Sequence, residues 1–203
     1  MQTANGKNSS RGFTIIELLI GLVVILILAA FAIPNTVAAL RAYRLSGSAH
    51  AVAHQLSLAR LRAQTEFTNA QLVIDPVANS YSLQLCTTPT NTLGAADGKA
   101  DNCTSAGDYN NEGTQFLASG ISFGFGPAGS AAGGQSPMRQ TIQTRFNSRG
   151  VPILLDGSGN TNPNDVIYLT DGQANTFAIS VTVGGHARVW RYDGSVGSGW
   201  CQQ

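Results

Sequence analysis

The sequence predicts an α+β protein: a long amino-terminal helix, membrane-spanning in its first part and amphipathic in its second, packed on an antiparallel β-sheet head. Three observations carry that prediction. An apolar run extends from Phe13 to Ile33 with Glu17 as its one charge. From Asn35 to Phe67 apolar residues recur at steps of three and four, the spacing of one helical stripe. After Phe67 the period falls to two, between clusters of Gly, Asn, Asp and Pro that mark turns.

Residues 1–12 form a leader that carries Lys7 and Arg11 and no acid. Residues 13–33 follow as the spanning and assembly helix, because 21 residues of this composition meet the roughly 20 that a bilayer crossing needs. The positive leader stays on the cytoplasmic side and everything after Ile33 is exported. Residues 34–68 are expected to form an amphipathic helix. Leu45, Ala49, Val52, Leu56, Ala59 and Ala63 make its apolar stripe, and Arg41, Arg44, Arg60 and Arg62 lie mainly off it, facing water. The two parts make one rod of about 55 residues, some 80 Å at 1.5 Å per residue. Pro34 removes a helical hydrogen bond, so a kink or local melting is expected near Ala30 to Pro34, with Ser46-Gly47-Ser48 a second weak point.

Residues 69–203 are read as one β-rich globular head. Strands are predicted over Gln71–Asp75, Ser80–Cys86, Phe116–Phe125, Thr141–Phe146, Val151–Leu155, Val166–Thr170, Phe177–Val183 and Ala187–Tyr192. Thr87–Thr114 and Gly126–Met138 are polar and read as long surface loops. Leu56, Ala59 and Ala63 are expected to face the sheet.

Glu17 is the informative residue of the apolar run. An acid in a spanning helix costs roughly 2.5 to 3.5 kcal/mol on insertion scales, so a partner is required, and intramembrane ionisable groups are functional by default. The Phe13 amine would lie about 6 Å away along the axis and is mostly cationic at neutral pH. A neighbouring subunit, offset axially, supplies the same group. An ordinary secretory signal cut at Ala30-Phe31-Ala32 explains Lys7 and Arg11 equally well, but not Glu17, nor a helical pattern that continues past the cut.

The juxtaposition Gly12-Phe13 with Glu17 resembles the class III signal of type IV pilins and pseudopilins. The resemblance implies cleavage between Gly12 and Phe13 by prepilin peptidase, methylation of the new amino terminus at Phe13, and an assembly contact through Glu17, the fifth mature residue. Farther on, Thr144 to Val151, Asp165 to Leu169, Phe177 to Val181 and Gly185-His186-Ala187-Arg188-Val189 resemble the GspH/FimT family of minor pseudopilins and minor pilins. That likeness implies a pilin-like fold and a structural subunit of a type II secretion pseudopilus or type IV pilus. It implies a single-pass protein of the bacterial inner membrane with a periplasmic head, and other pilin or pseudopilin subunits as partners.

The alternative function is DNA capture by a minor pilin during natural transformation. FimT-type proteins carry a Gly-Arg-x-Arg motif for this. Here the positions read Gly185-His186-Ala187-Arg188, with one arginine absent. Arg191 beside Trp190 and Tyr192 would supply a second cation and stacking rings, with Arg139, Arg145 and Arg149 as further phosphate contacts. Without the leader, ten basic residues face eleven acidic ones, which does not describe a strongly basic nucleic-acid binder.

Three cysteines lie on the exported side, where disulfides persist. Cys86 and Cys103 bracket one polar loop and make the simplest pair. Cys201 could replace either or remain a free thiol, because sequence does not fix connectivity. Asp156, Ser158, Asn160, Asn162 and Asp165 string oxygen ligands along a Gly-rich loop, as Asp97, Asp101 and Asp108 do more loosely. Neither has the Glu and Gly positions of an EF-hand, so calcium at Asp156, Asn160 and Asp165 is the minor reading and turn chemistry the major one. His50 and His54 share a helix face but lack a third ligand, and His186 reads as a residue beside a turn. No nucleophile, metal or phosphate motif points to catalysis, and no cofactor is expected.

Overall fold

The computed structural model describes residues 13–87, 103, 106–155, 161, 164–194 and 199–203. The chain divides into two compact units, Met1–Leu40 and Arg41–Gln203. One helix, α1 (Ile15–Thr65), contributes to both. Its course is helical through Pro34, so the expected melting is not observed. Around the proline, Asn35 Nδ2 donates to the Phe31 carbonyl and Thr36 Oγ1 to that of Ala32, giving extra donors to the turn before it. Ser46-Gly47-Ser48 is helical as well.

In the first unit the apolar side chains are exposed, from Phe13 and Ile15 to Ile33. A window of this helix is long and apolar enough to cross a membrane, and none of it is buried.

In the second unit the predicted stripe is the buried face. Leu45, Ala49, Val52, Leu56, Ala59 and Ala63 are all at most 1 % exposed. Three alanines among the six let strands approach the helix closely while Leu45, Val52 and Leu56 fill the gaps between them. The helix ends at a left-handed residue, Phe67 (φ 51°), with Thr68 N–H donating to the Ala63 carbonyl in a Schellman pattern usually closed by glycine.

The head holds two antiparallel five-stranded sheets. The strands are β1 (Ala70–Asp75), β2 (Ser80–Cys86), β3 (Tyr109–Phe116), β4 (Ser122–Phe123), β5 (Gln143–Phe146), β6 (Pro152–Ile153), β7 (Val166–Thr170), β8 (Thr176–Val181), β9 (Ala187–Tyr192) and β10 (Trp200–Gln202). The first sheet runs β3-β2-β1-β5-β6 and the second β10-β9-β8-β7-β4. Leu72, Ile74, Leu83 and Phe146 of the first join Ile167, Leu169, Phe177, Ile179 and Val181 of the second around the helical stripe. The second sheet is buried on its other face too. Val166, Tyr168 and Ala178 pack there with Ala128, Ala132 and Trp200.

Several expected boundaries change. The predicted strand Phe116–Phe125 is two elements, and β3 lies mostly upstream, in what reads as loop. β3 is an edge strand, exposed along nearly its whole length, so it has no apolar alternation to reveal it. Residues 126–138 are not simply a surface loop: they cover the outer face of β7 and β8, where Tyr168 Oη meets Ala132 N–H at 3.1 Å and Gln135 Oε1 at 3.0 Å. β10 was not predicted.

Candidate functional site

The amino-terminal turn of α1 is set by Thr14. Its carbonyl accepts Glu17 N–H at 3.1 Å and Leu18 N–H at 3.2 Å, and its Oγ1 accepts Glu17 N–H at 3.3 Å. Thr14 is therefore the N-cap and Glu17 the third helical residue, the spacing of a capping box. A carboxylate there faces the positive end of the helix dipole, which partly offsets the cost of an acid among apolar side chains. The sequence reading of Glu17 missed Thr14. The Thr-x-x-Glu spacing was the available signal. Glu17 lies on one open apolar face of the helix with Phe13, Leu18, Leu22, Ile25 and Leu26, and nothing lies within 4 Å of a Cβ position on Gly21. Residues 1–12, expected to form the leader that ends at Gly12, lie outside the described residues.

A second constellation links the head motifs. Arg60 Nε donates to the Gly150 carbonyl at 3.2 Å and its Nη1 lies 3.3 Å from His186 Nδ1. Gln64 Nε2 donates to the Arg149 carbonyl at 3.0 Å. The β5–β6 turn and the β8–β9 turn thus meet over one helical turn of α1. Arg60, expected to face water, instead holds this junction. Gly150 and Gly185 are both left-handed (φ 74° and 77°), and a Cβ on Gly185 would run into the Gly150 carbonyl and the Arg60 side chain.

Of the cations gathered for nucleic acid, Arg188, Arg191 and Arg145 do not share one face. β9 pairs with β8 without a bulge, Ser180 opposite Arg188 and Phe177 opposite Arg191. Residues three apart on a strand point to opposite faces. Arg188 therefore shares a face with Trp190, whose Nε1 donates to Ser180 Oγ at 2.8 Å, while Arg191 stands on the face of Val189. Arg191 does not supplement Arg188. Arg145 is buried at 6 % exposure, its Nε donating to Gln71 Oε1 at 3.2 Å and its guanidinium 5.2 Å from the Tyr109 ring centre. Burial pushes the Tyr109 phenol up to about 12; Arg145 opposes the shift and Asp108 adds to it. Trp190 and Tyr192 pack on the outer cluster of the second sheet.

Cys86 and Cys103 form a disulfide with Cα atoms 6.0 Å apart, and Cys201 is a free thiol on β10. Of the calcium candidates, Asp156, Ser158, Asn160 and Asn162 lie outside the described residues, as do Asp97 and Asp101. Asp165 is buried and its carbonyl accepts Val181 N–H, tying it to the end of β8. His50 and His54 are exposed on the helix. Among the described residues no three His, Cys, Asp or Glu side chains converge as a metal site would require. His186 does sit in a turn, its N–H donating to Thr182 Oγ1 at 3.2 Å.

No curated protein matches the chain. Two solved structures are similar to it, both of the minor pseudopilin EpsH from the type II secretion system of Vibrio cholerae. One is 14 % identical, spans 72 % of this chain and 92 % of that one, and has a TM-score of 0.42. The other is 11 % identical, spans 79 % and 96 %, and has a TM-score of 0.35. The model of the prokaryotic N-terminal methylation motif matches residues 7–33, and this chain carries that motif, with Phe13, Thr14 and Glu17 at the start of its exposed apolar helix.

Proposed function

We propose that the chain is a minor pseudopilin or minor pilin, a structural subunit of a type II secretion pseudopilus or type IV pilus. The observation that carries this reading is the methylation motif over residues 7–33, and Glu17 in the first turn of an exposed apolar helix supports it. Prepilin peptidase cuts between Gly12 and Phe13, and the new terminus is methylated. The helix then leaves lipid for a filament core, where association gains nothing from hydrophobicity and rests on close packing and paired polar groups. Glu17 receives the Phe13 amine of the adjacent subunit. The Cys86–Cys103 disulfide supports a head on the periplasmic side of the inner membrane, since such bonds persist in oxidising compartments.

Mass spectrometry of the amino terminus of membrane-purified protein tests the reading, with Glu17→Ala alongside. A methylated Phe13 start in both proteins is expected, with subunit crosslinking lost in the variant. A start at Ile33 refutes the pathway, and a variant that assembles normally refutes the role of Glu17.

A further inference from the structure

Between residues 131–134 and the outer face of β8 and β9 the head carries a cleft of about 360 Å³, a volume usual for small-ligand sites. Ser180 and Arg188, opposite one another across the two strands, share this face with Trp190 by alternation, and Thr182 follows where β8 ends. Gly133 and Gly134 are both left-handed (φ 61° and 81°) and give the cleft a wall of main chain. A Cβ on Gly133 would strike Ser180, so that close approach requires glycine. The polar groups of the cleft are one-sided. Arg188 has no acidic partner among the described residues, whose two ion pairs both belong to Arg62. Ser180 Oγ accepts Trp190 Nε1–H at 2.8 Å and Thr182 Oγ1 accepts His186 N–H at 3.2 Å. Each hydroxyl therefore keeps its own proton to donate. No Asp, Glu, Asn or Gln side chain lines the cleft.

We infer that this cleft binds the free carboxyl terminus of a polypeptide partner whose last side chain is apolar. A guanidinium and two hydroxyl protons, with no acceptor side chain beside them, are complementary to a carboxylate, and the planar fork of Arg188 suits its two oxygens. The last side chain then lies against Trp190 and Trp200, where rings favour an apolar or aromatic group. Capture of a chain terminus in this way is a recurring mode of peptide recognition. A sugar fits less well. Its hydroxyl protons need acceptors, and the cleft has no acid or amide side chain to take them. A nucleic acid fits less well again, because phosphate binding draws on several cations and Arg191 stands on the opposite face of β9. The inference goes beyond the subunit reading, and every residue it uses belongs to the unit Arg41–Gln203.

Trp190 and Trp200 are the two tryptophans of the chain and both line the cleft, so the intrinsic fluorescence of the full chain in detergent reports binding there. N-acetyl-alanyl-phenylalanine, with its free carboxylate, is titrated in parallel with the same dipeptide as its carboxamide. The acid should change the emission saturably, and the amide should bind about tenfold or more weakly, the loss expected for a hydrogen bond to a charged group. Arg188→Gln, at an exposed position, should weaken binding of the acid by a similar factor without lowering the urea midpoint. Arg191→Gln, on the other face of the same strand, should leave binding unchanged. Equal affinity for acid and amide overturns the proposal. An equal loss in Arg191→Gln does so too, since it means general attraction of anions to the head. Glucuronate or inorganic phosphate binding as tightly as the dipeptide would reveal an acidic-sugar or plain anion site and also overturns it. Emission that stays flat at millimolar dipeptide shows that no chain terminus enters the cleft.

Discussion

Gly185→Ala is expected to be among the most damaging single-methyl changes in the head, and Gly172→Ala supplies its reference. Both glycines sit in left-handed turns, at φ 77° and 70°. At Gly172 a Cβ meets nothing within 4 Å, so the cost is that of the backbone conformation, about 1 to 2 kcal/mol. At Gly185 the same methyl strikes the Gly150 carbonyl and the Arg60 side chain. The carbonyl is backbone, fixed by the turn in which Gly150 N–H donates to Asn147 O, and it already accepts Arg60 Nε. Forcing the two turns apart adds roughly 1 to 3 kcal/mol for overpacking, giving a total of roughly 2 to 5 kcal/mol. Urea unfolding of the full chain in detergent, followed by the fluorescence of Trp190 and Trp200, gives both values from the midpoints at constant slope. Equal losses for the two variants would show that the turns do not touch, and the junction at Arg60 would have to be abandoned.

Two further outcomes are expected. Reducing Cys86–Cys103, or replacing Cys103 by Ser, should cost about 3 kcal/mol for a loop of this length, read as a fall in the urea midpoint relative to the oxidised protein; an unchanged midpoint would show that the closed segment is already constrained. Partial burial pushes the Asp171 carboxyl up, but hydrogen bonds from the Asn175 side chain and from the Gln173 and Asn175 N–H groups outweigh it and hold the group below the usual carboxylate range. Its contribution to stability is therefore full above the unfolded value near 4 and is lost as pH falls through the lower folded value. The stability gap between wild type and Asp171→Asn should accordingly shrink in acid, and a gap that widens there would reverse the assignment.

Much of this molecule was legible because its signals are local. The six stripe residues from Leu45 to Ala63 repeat at helical spacing and are the six that become buried. β2, β7 and β9 begin and end where alternation and turn residues place them. Two misreadings were avoidable. Thr14 and Glu17 have the spacing of a capping box, and Arg188 and Arg191, three apart on a predicted strand, had to fall on opposite faces. Others were not avoidable. β3 earns its place by pairing with β2 from Ser80 to Cys86, a property of backbone groups that its polar side chains do not advertise. Arg145 reads as a surface cation until Gln71 and Tyr109 close over it.

By itself the sequence determined the helix-led plan of the chain, because hydropathy, helical spacing and capping act between residues a few positions apart. Only the tertiary structure decided which polar residues are structural. Arg60, Gly150 and Gly185 are distant in sequence, and their roles exist only once two turns from different sheets are brought onto one helix. The same holds for residues 126–138, whose alanines and glycines give no apolar period but cover a sheet that the helix leaves open on its other side. Long-range contact of this kind depends on which surfaces remain unburied after the local elements have formed, and no local pattern records that.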